Sequence, residues 1–487
     1  MSTERYAANE DFVIEGHWSR PGGKHRPAGM LTHAEGTLEL QLLGAFDDAD
    51  GPHAFARHMP EQEPQVIHGE SADGTLLTLL NCFYTNWQPG GDLQQEGPVP
   101  IRTSKLSCNG MILGAHLERD DEPIFTQSSL AIPSLSAWLD DSPFAVKMQG
   151  VTSVSVAYTM PEKRTFVIPH WGEFQFTPAV TPPSMPYDDV TIKHRTYVDI
   201  KPVAPRNFAW FVEMAGEIER LFTLLFGRVV QIARNRLRYS DNATAKDVDA
   251  YLPTDRIAQS QMHRMDFLTT YPTVASWFPQ MLESWFCQSS EIRHALDLVF
   301  SSLRRPGRFL ETRFIPFVQA VEVYSRAVNP GQIVDKSVYK PIRETLVGSI
   351  PTETPAQLRE AIVRSLGYAN DRSLRERMIA LMDGMLHETR ELFCIDAAEF
   401  AKGVVDTRNF LTHYSSDPDK ALKSTGLHWA TIKLQTMMKV LLLIKLGIPE
   451  VEVQKIVKRN MSLRQEKKNW VAVRELPDKG NTTGESA

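Results

Sequence analysis

The stretch DTRNFLTHY, residues 406–414, brings an arginine, an amide and an imidazole close together in the chain. Arg408 carries a fixed positive charge on a planar guanidinium that can donate two hydrogen bonds to phosphate oxygens. His413 carries an imidazole whose ordinary pKa, about 6.5, lets it accept or donate a proton near neutrality. Asn409 and His413 have the i, i+4 spacing of neighbours on one helix face. Together the three side chains could hold a phosphate group and move protons around it.

These side chains are sufficient, in principle, to cleave RNA without a metal ion. RNA carries its own nucleophile in the 2′-hydroxyl, so a protein needs only to transfer protons and stabilise the charge that develops on the scissile phosphate. The sequence has no P-loop, dinucleotide-binding, zinc-protease or serine-hydrolase motif. Nucleotide hydrolysis, hydride transfer, zinc proteolysis and ester hydrolysis therefore lack their usual sequence support.

The spacing alone does not establish a site, because an arginine and a histidine at this separation occur by chance in many chains. The structural alternative is a histidine at a helix end, hydrogen-bonded to the backbone, and an arginine paired with a carboxylate at the edge of the core. A buried guanidinium is costly unless it has an acidic partner, a path to solvent or an anionic ligand. The surroundings of Arg408 therefore separate the two interpretations.

A helix over residues 396–413 must position the motif. Asp396 followed by Glu399 is typical of a capped helix start. Apolar residues then form one stripe of the helix: Phe400, Val404 and Leu411. Arg408 takes the remaining place on this stripe, so we expect its side chain to face neighbouring helices.

The chain divides by pattern into four parts, which predict an α+β fold. Residues 1–200 contain short apolar or alternating runs broken by turn residues, typical of a β-rich domain built as a sandwich or barrel. Residues 201–288 contain a helix and a connector of mixed structure. Residues 289–460 have the period of an all-α bundle. Residues 461–487 form a charged tail that we expect to be partly disordered.

Helical periodicity also predicts individual elements. A helix that begins after Pro205 should end at Gly227, since glycine commonly follows the last helical residue. In the bundle, helices are predicted near residues 290–304, 308–328, 336–348, 355–367, 372–387, 396–413 and 419–446, with a short helix after Pro449. Each has one apolar stripe that must be covered by a neighbour.

The composition is that of an ordinary globular protein, with 42% hydrophobic and 23% charged residues and a formal net charge of -6. A nucleic-acid site would therefore have to be a local patch. The four cysteines lack metal-ligand spacing, which favours thiols in a reducing compartment over disulfides or a zinc site. With neither a signal peptide nor an apolar run of membrane length, we expect a cytoplasmic protein. Because metal-ligand spacing and cofactor-binding motifs are absent from the sequence, we expect no metal or other cofactor.

The motif resembles that of the HEPN superfamily, whose ribonucleases carry R-x(4 to 6)-H, usually with a polar residue directly after the arginine. Arg408, Asn409 and His413 match this pattern. More narrowly, DTRNFLTHY together with RFIPFVQAVEVYSR, residues 313–326, is similar to the HEPN domain of ApeA-type proteins, which are associated with abortive-infection defence against phage. The resemblance covers residues 290–460. The first half of the chain is similar to the β-rich N-terminal domain of those proteins in the arrangement of its predicted strands and in a few strands that begin with glycine.

The resemblance implies a metal-independent endoribonuclease and antiviral toxin in which Arg408 stabilises the transition state, His413 moves protons and Asn409 orients the phosphate or the histidine. It also implies a homodimer, in which two HEPN domains pair so that both motifs line one cleft. RNA is the implied substrate, with transfer RNA as a family-level candidate, and a phage-derived trigger is expected at the N-terminal domain. The alternative is a non-catalytic protein whose HEPN bundle dimerises and docks RNA while the first domain senses.

Two further groups of residues are candidates for supporting roles. Glu322 lies next to an apolar stripe of the second bundle helix, and we hypothesise that it pairs with Arg408 and directs the guanidinium toward the cleft; the alternative is a solvent-facing glutamate. Residues 455–474 concentrate basic side chains around one tryptophan, so Lys467 and Lys468 are candidates for contacts with RNA phosphates. A solvated final helix is the alternative for that segment.

Overall fold

The computed structural model describes residues 6, 10–44, 46, 65–87, 103–119, 121–150, 153–184, 190–241, 244–252, 257, 261–288, 292–329, 331–394, 396–413, 419–465 and 468. The chain folds into two compact units. The first comprises Met1–Arg264 and Thr270–Pro272, and the second comprises Met265–Thr269 and Thr273–Ala487.

The first unit is built mainly from antiparallel strands. These are β1 (Phe12–Ser19), β2 (Ala28–Ala34), β3 (Thr37–Leu43), β4 (Gln65–Ser71), β5 (Leu76–Trp87), β6 (Thr103–Leu113), β7 (Phe125–Ala131), β8 (Phe144–Gln149), β9 (Ser153–Tyr158), β10 (Arg164–Ile168), β11 (Gly172–Ser184), β12 (Thr191–Pro202), β13 (Arg234–Asp241) and β14 (Thr244–Tyr251). Among the described residues up to Arg264, the α-helices that accompany them are α1 (Leu135–Leu139) and α2 (Phe208–Phe226).

Six of these strands close into a barrel. The strand order is β6-β3-β2-β1-β4-β5, and β5 also pairs with β6, which completes the circle. Alternation along each strand fills the interior, as in β3, where Leu38, Leu40 and Leu42 are buried between more exposed neighbours. Trp18 is fully buried in the same core. The predicted β-rich first half is thus confirmed, with a barrel as its centre.

The sheet continues from β6 through β14, β13, β7, β12 and β11 to β10. Helix α2 supplies apolar cover to this part, since Phe208 and Phe211 share a buried cluster with Leu237 and Val248. The helix starts at Asn207, whose side chain accepts a hydrogen bond from the Trp210 backbone N–H at 3.1 Å. It ends at Gly227, which has a left-handed φ of 79°, as the sequence predicts.

From Tyr271 on, the described residues form helices. These are α3 (Tyr271–Val274), α4 (Phe278–Gln288), α5 (Arg293–Arg304), α6 (Leu310–Val328), α7 (Lys336–Gly348), α8 (Ala356–Tyr368), α9 (Leu374–Asp383), α10 (His387–Arg390), α11 (Ala397–His413), α12 (Ser424–Lys445) and α13 (Glu450–Arg459). None of them has the length and hydropathy that crossing a bilayer requires. The α+β fold class predicted from the sequence is therefore confirmed.

Helix α6 is the centre of the bundle, because α5, α9, α11 and α12 all pack against it. Its buried face includes Phe314, Phe317 and Tyr324. The Tyr324 hydroxyl donates to the Leu441 carbonyl of α12 at 3.4 Å. Burial raises the pKa of Tyr324 to about 12, so this phenol remains protonated and keeps its donor at any physiological pH.

The predicted helices differ from the observed ones in three places. The helix predicted near 372–387 is divided into α9 and α10, because the chain leaves the helix at Gly384 and glycine is a poor helix former. The helix predicted near 419–446 begins only at Ser424, whose φ of 42° marks a break before it. Helix α4 lies in the stretch that the sequence leaves as mixed structure. It begins after Trp277 and buries Trp285.

The division into residues 1–200, 201–288, 289–460 and 461–487 stays a prediction. The structure describes what the second of these parts contains: α2, β13 and β14 belong to the first unit, and α4 belongs to the second. Most of the residues after 465 lie outside the described part of the chain. The disorder predicted for that tail is therefore not addressed by the structure.

The packing of Gly69 against Trp18 makes a testable prediction about the barrel. The two residues are cross-strand partners, and a Cβ at Gly69 would overlap the Trp18 ring. Gly69→Ala should therefore lower the free energy of unfolding by about 1–3 kcal/mol through overpacking. Gly216→Ala is the matched control, because a Cβ in that α2 position meets nothing within 4 Å and should stabilise by up to about 1 kcal/mol. Urea unfolding followed by circular dichroism compares the variants, and equal midpoints would contradict the packing argument.

Candidate functional site

Helix α11 carries the motif, and its start is capped as predicted. The Asp396 side chain accepts hydrogen bonds from the backbone N–H groups of Ala398 at 2.8 Å and Glu399 at 3.0 Å. These bonds satisfy two of the donors that a helix start leaves unpaired. The helix then runs through to His413 and packs against α9 and α6. The motif therefore lies on the last turns of a well-anchored helix.

The buried face of α11 is rotated slightly from the predicted stripe. Its most buried residues are Ala401, Val404 and Thr407. Arg408 is half-buried and lies at the margin of this face rather than in its centre, so the prediction that it faces the neighbouring helices is only partly correct. At this margin the aliphatic stem can be covered while the guanidinium reaches water. Thr407, one residue earlier, takes the central position instead.

Arg408 and Asn409 contact each other. The Arg408 Nη1 atom donates to the Asn409 Oδ1 atom at 3.1 Å. Within the described residues, Arg408 has no carboxylate within ion-pair distance. The arginine paired with an acid, which the sequence leaves open as the structural alternative, is thus not what the described part of the chain contains. A half-buried guanidinium held by a neutral amide keeps its full charge for an anionic ligand.

His413 is the last residue of α11, and its backbone continues the helix. Asn409 is therefore its i−4 neighbour, as the spacing predicts, and the two positions share a face of the helix. The His413 side chain and residues 414–418 lie outside the described part of the chain. The position of the imidazole relative to the Arg408 guanidinium stays a prediction.

Thr407 is a positioning residue that the sequence analysis does not identify. Its hydroxyl donates to the Gly403 carbonyl at 2.6 Å and accepts from the Leu422 backbone N–H at 2.8 Å. The Leu422 side chain also lies over Gly403, at 3.6 Å from where a Cβ would be. The chain that follows the motif is thus tied back to α11 one residue before Arg408. The sequence does contain a signal for this role. Thr407 follows Ala401 and Val404 at helical spacing, so its hydroxyl is expected on the buried face, where it needs a hydrogen-bond partner.

Glu322 does not pair with Arg408 within the described part of one chain. Its carboxylate binds Arg326, the i+4 residue of α6, at 3.0 Å, and the Glu322 side chain is 23% exposed. The pKa of buried Arg377 of α9 is lowered, first by its burial and then by the charge of Arg326, while the charges of Asp371 and Glu322 act in the opposite direction. In place of the hypothesised ion pair, the described ion pair of this carboxylate is the one with Arg326. A supporting role for Glu322 at the site stays a hypothesis.

The remaining candidates are described only in part. Lys467 lies outside the described residues, and Lys468 is exposed. Within the described residues, no group of three or more His, Cys, Asp or Glu side chains is arranged to hold a metal ion. The site thus reduces to the Arg408–Asn409 pair, the helix end that carries His413, and the Thr407 tether behind them.

Comparison with known families defines the class of protein. Residues 13–285, more than half of the chain, match the profile of ApeA N-terminal domain 1. Residues 315–452 match the profile of the Apea-like HEPN domain, and this stretch includes the central helix α6 from residue 315 on and all of α11. A β-rich first domain followed by a HEPN bundle is the architecture that these two profiles describe. The chain belongs to the ApeA family of HEPN-domain proteins. No curated protein and no solved structure matches it.

HEPN domains are generally ribonucleases, and they commonly dimerise and bind RNA. The matched HEPN region contains Arg408, Asn409 and His413, so the motif belongs to the part of the chain that the family shares. It also contains Glu322 and the Thr407 tether, but not Lys467 or Lys468.

The tether generates a prediction about stability near the motif. Thr407→Val keeps the volume but leaves the Leu422 N–H without its acceptor, so it should cost about 1–2 kcal/mol and speed amide exchange at Leu422. Thr412→Val is the matched control, because the exposed Thr412 hydroxyl only donates to the Arg408 carbonyl of its own helix. Its effect should stay within about 0.5 kcal/mol. Hydrogen exchange and thermal unfolding measure both, and unchanged exchange at Leu422 would argue against the tether.

Proposed function

We propose that this protein is a metal-independent endoribonuclease of the HEPN type, acting as an abortive-infection effector against phage. The 2′-hydroxyl of the RNA attacks the adjacent phosphorus, a new P–O2′ bond forms and the P–O5′ bond breaks. One proton leaves the 2′-hydroxyl and one is delivered to the departing 5′-oxygen. The products are a 2′,3′-cyclic phosphate and a 5′-hydroxyl end. An RNA substrate places this activity in the cytoplasm.

The motif residues divide the work. Arg408 stabilises the negative charge that builds up on the phosphate oxygens, because a guanidinium fork matches them in geometry and charge. His413 accepts or donates the protons, since an imidazole exists in both forms near neutral pH. Asn409 holds the guanidinium through the bond from Arg408 Nη1 to its Oδ1, at 3.1 Å. The Thr407 tether fixes the backbone from which all three extend.

The observation that carries this proposal is the state of Arg408. Its side chain is half-buried, yet within the described residues it is balanced by an amide rather than an acid. At this margin the guanidinium reaches water and keeps its charge, so an anionic ligand can bind it without first displacing an acid among the described residues. The matched HEPN profile across the same helix supports a phosphodiester as that ligand.

A homodimer fits this chemistry, because general acid–base cleavage needs both a base and an acid. Two HEPN bundles that bring their α11 ends together would supply one histidine for each role. Glu322 could then support the cleft indirectly, by neutralising Arg326 and Arg377 in the same bundle. The β-rich first domain would respond to a phage-derived trigger, and transfer RNA is the candidate substrate.

The cleavage prediction concerns His413. His413→Ala should lower kcat/KM for RNA by a factor of about 10² to 10⁴, because proton transfer in the transition state is lost. Arg408→Ala should lower it similarly, and Arg408→Lys should restore only part, since an ammonium lacks the planar fork. The assay follows cleavage of labelled RNA and identifies the ends by mass spectrometry.

His387→Ala is the matched control, because His387 lies on α10 of the same unit and its side chain is 69% exposed. It should cleave like the wild type. Wild-type rates for the His413→Ala variant would refute the assignment. RNA binding without any cleavage by the wild-type chain would favour the alternative, in which the bundle only dimerises and docks RNA.

Dimerisation makes a separate prediction about concentration. If both motifs line one cleft, specific activity should fall on dilution below the dimer Kd, in step with the loss of dimer measured by analytical ultracentrifugation. Specific activity that stays constant while the protein becomes monomeric would show that one bundle suffices.

A further inference from the structure

The hairpin of α7 and α8 is an unusual part of the bundle, because neither helix contains a buried residue. The two helices pack on each other. The Tyr339 hydroxyl of α7 donates to the Leu366 carbonyl of α8 and joins them. Within the described residues, the hairpin therefore contributes little to the core of the second unit.

A groove along this hairpin is lined by three arginines and a tyrosine. Arg343 comes from α7, and Arg359, Arg364 and Tyr368 come from α8. Glu360 is the only acidic residue among the lining residues, so the groove is positive. Arg364 and Tyr368 are i and i+4 on α8 and so are neighbours on its surface. From Arg359 to Tyr368 the helix extends by about 14 Å, which is enough for a short run of nucleotides.

None of these arginines forms an ion pair with the described residues. The Arg359 Nη2 atom donates to the Ile350 carbonyl at 3.0 Å, which holds that guanidinium at the turn of the hairpin. The Arg343 Nε atom is shielded from solvent and has no hydrogen-bond acceptor in the part of the chain that the structure describes. Arg343 lines the groove without an acid partner among the described residues, so the charge of its guanidinium is available to an anionic ligand there.

Two further features leave the groove open to a ligand. Tyr368 is 68% exposed, so its ring face is free of cover by the described chain. A Cβ at Gly367 would meet nothing within 4 Å, so packing does not require glycine there, although glycine weakens a helix. The backbone at Gly367 can therefore be approached closely between Arg364 and Tyr368.

We infer that the α7–α8 groove is a second binding site for single-stranded RNA, separate from the α11 motif. Arg343 and Arg364 bind phosphates, and Tyr368 stacks on a base. Guanidiniums beside an exposed aromatic ring are the pattern by which proteins hold single strands without reading their sequence. An acidic protein is the competing ligand, but it would have no use for the stacking ring. This inference rests on the proposed function in one respect: it takes the RNA bound in the groove to be the RNA that the α11 motif cleaves.

The test uses the full chain and a fluorescein-labelled 2′-O-methyl-oligouridine. This probe has no free 2′-hydroxyl, so binding is measured without cleavage. The double variant Arg343→Ala/Arg364→Ala should reduce the slope of log K against log salt by roughly 1.4 and weaken binding about 25-fold at 0.1 M salt, since each phosphate contact contributes about 0.7 to the slope. Tyr368→Leu should weaken binding by at least about fivefold with the slope unchanged.

Arg308→Ala is the charge-matched control, because Arg308 is an exposed arginine outside the groove. It should bind the probe like the wild type. Circular dichroism checks that every variant is folded. A double variant that binds with the wild-type affinity and slope overturns the inference. Two other results also overturn it. In the first, the double variant loses affinity only for a poly-glutamate peptide, which would identify an acidic protein as the ligand. In the second, the wild type binds oligothymidine but not the oligouridine probe.

Cleavage of an unmodified oligouridine separates this inference from the proposed function. The groove variants should raise KM and leave kcat unchanged, whereas His413→Ala should lower kcat. If the wild type cleaves no RNA but the groove variants still lose affinity for the probe, the proposed function fails and the groove site stands. If cleavage is lost in His413→Ala but the groove variants keep the wild-type KM and the wild-type affinity for the probe, the groove inference is wrong and the proposed function stands.

Discussion

The candidate site depends on one feature of Arg408: within the described residues, no acid lies within ion-pair distance of its guanidinium. Its guanidinium lies at the margin of the buried face of α11, where the only described contact is the neutral side chain of Asn409. A carboxylate in that place would stabilise the bundle but cancel the charge that a phosphate needs. The helix leaves the arginine half-exposed instead, so that water can solvate its charge.

Arginines elsewhere in the chain show what the opposite arrangement looks like. In the first unit, Arg234 donates to both oxygens of Asp249 at 3.0 and 2.7 Å. Arg164 binds Asp141 at 3.0 and 2.7 Å in the same bidentate way. These forks hold strands and loops together, and they have no charge left for a ligand. Arg408 on α11 and Arg343 and Arg364 on the α7–α8 hairpin lack such partners within the described residues, so their charges are not neutralised there by an acid.

Glu322 is an acid of the bundle whose charge is used away from the motif. Glu322 projects from the central helix α6, which packs against α11, yet its carboxylate is taken by Arg326 and stabilises buried Arg377. Arg377 in turn donates to the Asn329 carbonyl at 3.3 Å, at the end of α6. Glu322 and Asp371 thus offset part of the positive charge at this end of α6. The tether from Leu422 to Thr407 then fixes the backbone beside the motif without adding any charge to it.

The sequence by itself determined the elements and the motif, because helical period, capping residues and alternation are local properties of the backbone. It placed α2 with its end at Gly227, the capped start of α11 at Asp396, and most of the bundle helices to within a few residues. Tertiary structure decided the closing of β5 onto β6, the rotation of α11 that centres Thr407 in place of Arg408, and the choice of Arg326 as the partner of Glu322. These features depend on how segments distant in the chain pack against each other. A long, flexible side chain on a helix has several possible partners within reach, and the helical period does not determine which of them it binds.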